Sequence, residues 1–123
     1  MTKKEIAQDF LSLCSGGDPH KAFAKYTAVQ FKHHNAFFKG DAETLENAMA
    51  EASLHAPKQT IEFKHILADG DLVSVHSHVK PSPGHPGYAT THILKFDGSD
   101  KVIELWDYHM VIPKEIVNEN GVF

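Results

Sequence analysis

At 123 residues the chain has the size of one domain, spanning 1–123, and can bury about two-thirds of its unfolded surface without staples. A formal charge of −4 argues against nucleic acid or an anionic membrane as the main partner. A single cysteine, Cys14, excludes an internal disulfide, and neither a signal peptide nor a membrane-spanning apolar run is evident, so a cytoplasmic protein is expected.

Taken in order, the first half reads as helical. "KKEIAQDFLSLCSGG" sets Ile6, Phe10, Leu13 and Cys14 at helical spacing, and Gly16-Gly17 supply a stop. "DPHKAFAKYT" begins with Asp18 as N-cap and Pro19 at the first helical position. "AVQFKHHNAFF" reads as a short extended segment. In "GDAETLENAMAEASLHA" Asp41 caps a third helix whose inner stripe is Leu45, Ala48, Met49 and Ala52, and Pro57 ends it.

The second half changes to period two. "QTIEFKHILA" alternates Ile61, Phe63, His65 and Leu67 against Thr60, Glu62, Lys64 and Ile66. "ADGD" turns the chain into "LVSVHSHVK", and the three prolines of "PSPGHPG" make a loop. "YATTHILKF", the turn "DGSD" and "KVIELWDYHMVI" complete the run. Helices leading into a strand meander predict an α+β fold, a curved antiparallel sheet with helices packed on one face and a conical hollow at one end. On residues 72–80 one face carries Leu72, Ser74, His76 and His78, and the other Val73, Val75, Ser77 and Val79. With the helices on the inner face, the valine face needs a cover, and a homodimer joined through the outer sheet face is expected.

Ten histidines are roughly three times ordinary usage. "GDLVSVHSH" matches the opening of a cupin metal pattern, but no glutamate follows in "VKPSPGHPG". Two histidines fall short of the three or more ligands a metal site needs, so no metal is expected. In "KHHN" His33 and His34 point to opposite faces of an extended segment, and which of them faces the hollow stays open. Asp107 shares a face with Ile103, Leu105, His109 and Val111, so it would sit in an apolar wall. Cys14 reads as a small core residue. No nucleophile elbow, phosphate-cradling loop or calcium spacing is present.

Together, "FKHHN" before a glycine-led helix, "ADGDLVSVHSHV", "THILKF" and "KVIELWDYHMVIP" resemble the SnoaL-like group of the ketosteroid isomerase and nuclear transport factor two-like superfamily. The resemblance spans nearly the whole chain and implies the cone-shaped, usually dimeric fold already outlined. That fold hosts isomerases, dehydratases, cyclases and pure binding modules. For SnoaL-like cyclases the resemblance implies acid/base chemistry on a carbonyl compound, without cofactor. Asp107 in "ELWD" matches the family's catalytic aspartate, His34 and Asn35 match a "QHN"-like segment, and His76 and His78 match its "HSH". The third strand has His92 and Lys95 where an aspartate and an arginine would stand, and Leu105 replaces a histidine.

The chemistry implied is proton abstraction beside a carbonyl by Asp107. His34, Asn35 or His92 would donate to the enolate oxygen. His76 and His78 are expected to line the pocket, and Trp106 and Leu105 to contact the substrate, a small apolar or carbonyl-containing molecule. The products would be those of aldol closure, isomerisation or dehydration. The competing expectation is a non-catalytic module that holds a small ligand.

Overall fold

The computed structural model describes residues 1–123. Helix α1 (Lys3–Ser15) starts in a capping box, in which the Thr2 hydroxyl accepts from the Glu5 amide and the Glu5 carboxylate accepts from the Thr2 amide. Its buried face is Ile6, Ala7, Phe10, Leu11 and Cys14. Helix α2 (Pro19–Tyr26) is capped by Asp18 and helix α3 (Ala42–His55) by Asp41, as their positions in the sequence predict. No helix is long and apolar enough to cross a membrane.

The strands are β1 (Thr27–His33), β2 (Thr60–Asp69), β3 (Leu72–Lys80), β4 (Tyr88–Phe96) and β5 (Val102–Val111). They form one open sheet in the order β1-β5-β4-β3-β2. Strands β2 to β5 make the expected antiparallel meander. β1 departs from the expectation by running parallel to β5, so the sheet is mixed. Parallel neighbours need a long crossover, and the whole chain from α3 through β4 supplies it. The result is the α+β cone, three helices against one face of a curved sheet.

Which face is concave corrects the sequence reading. Val73 and Val75 are fully buried, packed in one core with Phe10, Leu11, Leu94 and Leu105. The valine face of β3 is therefore the helix-covered face, and His76 and His78 lie on the outer one. The reason is packing: valines give the helices an apolar surface that imidazoles would not. Two register shifts also move side chains. Between Phe63 and His65 the pairing of β2 slips, so Ile66 turns inward opposite Val75 while His65 and Leu67 turn outward opposite His76 and Ser74. Another slip between Lys95 and Phe96 brings Val102 into the core, where it is fully buried.

Within α3 only Leu45 is buried. Met49, which also packs against the core edge, lines a hollow together with Ala52 and Ser53. The C-terminal half of this helix roofs that hollow.

Candidate functional site

The hollow under α3 is a cavity of about 340 Å³ open to solvent. Its apolar wall comes from Leu11, Cys14, Met49 and Val79. Polar groups enter from Ser53 on α3, Gln59 before β2, Tyr88, Thr90 and His92 on β4, and His109 on β5. No lysine or carboxylate lines it, and the chain contains no arginine. Burial pushes the Cys14 thiol far above its ordinary value, so it stays a protonated wall residue.

His92 is the one histidine of this cavity whose titration is clearly displaced. Burial holds its imidazole below the ordinary value, so the ring is kept uncharged; nearby Asp107 opposes that shift and His109 adds to it. Its Nδ1 is enclosed and has no hydrogen-bond partner. Such an orphan costs about 1–3 kcal/mol. His92 pairs directly with Asp107 across β4 and β5, which sets both side chains on the concave face at neighbouring positions.

Asp107 opens into a second, smaller hollow of about 290 Å³. This one lies between β5, beyond the point where β1 ends, and the loop that follows β1. Its lining includes His34, Asn35, Phe37, Asp107 and His109. His109 borders both hollows, so they meet at that side chain. Asp107 is half-buried and its Oδ2 accepts from Asn35 Nδ2 at 3.0 Å.

The remaining expected site residues go elsewhere. His34 does touch the smaller hollow, but its Nε2 is 2.6 Å from Glu104 Oε2 and its ring lies parallel to Trp106 at 5.0 Å. That hydrogen bond is the main reason the Glu104 carboxyl sits below its usual range. His34 is thereby committed to an outer-face cluster with Trp106, and neither side chain reaches the larger cavity. Leu105 is a core residue, 1% exposed. His76 Nδ1 meets His65 Nδ1 at 3.0 Å on the outer face. His78 Nε2 donates to the Pro86 carbonyl at 2.7 Å, which ties down the 81–87 loop. Phe123 packs over both His76 and His78. The "HSH" pair is therefore not a pocket wall: strand alternation put it on the convex side. No cluster of three or more histidine, cysteine, aspartate or glutamate side chains has metal-holding geometry.

Sequence reasoning set His109 on the face of Asp107, since i and i+2 share a face, but gave it no role, and it missed Thr90, Tyr88 and Gln59.

No family model and no curated protein sequence matches the chain. Solved structures do match in shape. A cystatin-fold protein from Novosphingobium aromaticivorans superposes with a TM-score of 0.71 at 19% identity, covering 88% of this chain and 98% of that one. A SnoaL-like protein of unknown function from Burkholderia thailandensis gives 0.68 at 16% identity, over 89% and 98%. A protein provisionally named a polyketide cyclase, from Acidithiobacillus ferrooxidans, gives 0.68 at 19%, over 88% of each chain. The chain thus has the cone fold shared by SnoaL-like and cystatin-fold proteins, and at these identities the likeness speaks for architecture.

Proposed function

We propose that the protein is a small-molecule enzyme of SnoaL-like type that performs acid/base chemistry on a carbonyl compound held in the cavity under α3. The observation that carries this reading is the uncharged His92 beside Asp107, at the junction of two hollows whose larger member carries no fixed charge. A carboxylate next to a cavity can take a proton from the carbon beside a carbonyl. The neutral imidazole can donate a hydrogen bond to the oxygen as it becomes an enolate, without bringing a full charge that must be desolvated. Thr90 and Tyr88 supply further hydroxyls at the wall. Aldol closure, isomerisation and dehydration all begin with this one proton transfer.

A binding module of the same fold is the second reading. It is favoured by the engagement of Asp107 Oδ2 with Asn35 and by the absence of Asp107 from the lining of the larger cavity. The test is a panel of neutral cyclic ketones and hydroxyketones, followed for α-proton exchange with deuterated solvent by NMR. Exchange in the wild type that is lost in Asp107→Asn supports the enzyme. Saturable binding with no exchange supports the module.

We also propose that the outer sheet face joins two copies. The valines no longer argue for this, but Tyr108 and Met110 on that face are 58% and 52% exposed. Sedimentation of the wild type against a Tyr108→Lys, Met110→Lys double variant tests it. A dimer that falls to monomer is expected, and a wild-type monomer overturns it.

A further inference from the structure

The histidine that precedes His34 lies outside the chemistry above, yet it is linked to Asp107 through Asn35. His33 is 6% exposed and stands opposite Leu105 in the sheet. Its Nε2 is 2.7 Å from the carbonyl oxygen of Lys39. A carbonyl only accepts, so Nε2 carries the proton. Its Nδ1 lies 3.1 Å from the backbone nitrogen of Asn35, whose N–H must donate, so Nδ1 carries none. Both contacts are satisfied together only by the neutral ring with its proton on Nε2. The ring thus ties the start of the 34–40 loop to its end, above the Lys32–Asp41 bridge that closes the loop's foot.

Asn35 is then held on three sides. Its backbone N–H is on His33, its carbonyl oxygen accepts from Phe38 at 3.3 Å, and its Oδ1 accepts from the Phe37 N–H at 3.0 Å. The last contact settles the amide orientation, because an Nδ2 placed there would face a donor with a donor. Nδ2 must therefore point the other way, onto Asp107 Oδ2 at 3.0 Å.

We propose that His33 is a positioning residue. Through the loop it locks Asn35, and Asn35 in turn orients the Asp107 carboxylate, occupying Oδ2 and leaving Oδ1 for a substrate proton. This rests on Asp107 being the base, but its test does not require turnover. It also reassigns Asn35 from contact with substrate to contact with the carboxylate. The titratable groups near Asp107 are His92 opposite it on β4, His109 and Tyr108 on its own strand, and His34 from the segment after β1, the last three lining the same hollow.

The test is NMR on the intact protein. Long-range proton–nitrogen correlations are expected to show His33 as the Nε2–H tautomer, and one Asn35 side-chain amide proton should be displaced downfield from the exposed-asparagine position. That displacement should vanish in Asp107→Ala, and also in His33→Phe, which keeps a ring of similar bulk but removes both bonds. Asn35→Asp keeps an acceptor for Phe37 while setting a carboxylate against Asp107, and should move the Asp107 side-chain carbon signal while leaving His33 in its tautomer. A proton on His33 Nδ1, or an Asn35 amide signal indifferent to Asp107→Ala, overturns the proposal. If His33→Phe does not fold, the wild-type tautomer and the Asp107→Ala comparison decide alone. Failure of α-proton exchange with an intact relay overturns the enzymatic reading instead.

Discussion

The two faces of the sheet carry similar residues and put them to opposite use. On the concave side His92 stands beside Asp107 over a cavity, its charge suppressed by burial and its Nδ1 unsatisfied. On the convex side His65 and His76 share a hydrogen bond, and His78 is spent on a loop carbonyl. The first set keeps an enclosed, unsatisfied nitrogen next to empty space, while each ring of the second already has one nitrogen engaged by the protein. Reactivity in a residue type comes from what its surroundings leave unsatisfied, and enrichment in the sequence does not reveal that.

The sharpest way to break this comparison is kinetic. On any ketone whose α-proton the wild type exchanges, Asp107→Asn and His92→Phe should each slow exchange by about a hundredfold or more. His76→Gln should stay within about twofold, since ordinary surface changes are mild. Equal losses on both faces would erase the distinction.

Stability gives the next contrast. Leu94, fully buried on the concave face, should lose about 2–5 kcal/mol on truncation to alanine in denaturant melts. Leu67, 66% exposed on the other face, should lose no more than about 0.5 kcal/mol.

Acid separates the faces more finely. The folded-state value of His92 lies below the ordinary 6.5, so the unfolded chain takes up a proton that the folded one refuses. Neutral His92 therefore contributes stability fully above that ordinary value, and the contribution is lost as pH falls below it. Melting temperature should drop more steeply between about pH 6.5 and 5 in the wild type than in His92→Phe. Parallel curves would mean that His92 is not the group responsible.

The smallest effect belongs to the outer cluster. Glu104 is held below its ordinary 4.5 chiefly by His34, so that contribution is present above 4.5 and lost as pH falls further. His34→Ala should cost about 0.2–1 kcal/mol at neutral pH, as for a surface pair, and should flatten the acid limb below pH about 4.5.

Much of the frame was legible. Asp18 and Asp41 announced two helix starts and Pro57 a helix end, because caps and prolines act within one turn of chain. The turns at 68–71 and 97–100 were equally local. Within the site, the sequence singled out Asp107, His92 and Asn35 but set His34, His76, His78, Trp106 and Leu105 beside them and left open which of His33 and His34 turns inward, a place that falls to the buried His33.

What the chain determined by itself is its order of elements and the pairing of side chains into faces, both consequences of short-range geometry. Only the tertiary structure decided which face of each strand became the inner wall. The valine side of residues 72–80 is the more apolar, yet an outer face covered by a partner would also call for it, and a one-residue slip at 63–65 or 95–96 exchanges faces without any mark in local composition. The helices resolve that ambiguity by packing on the valines, and the remaining hollow leaves His92 and Asp107 side by side.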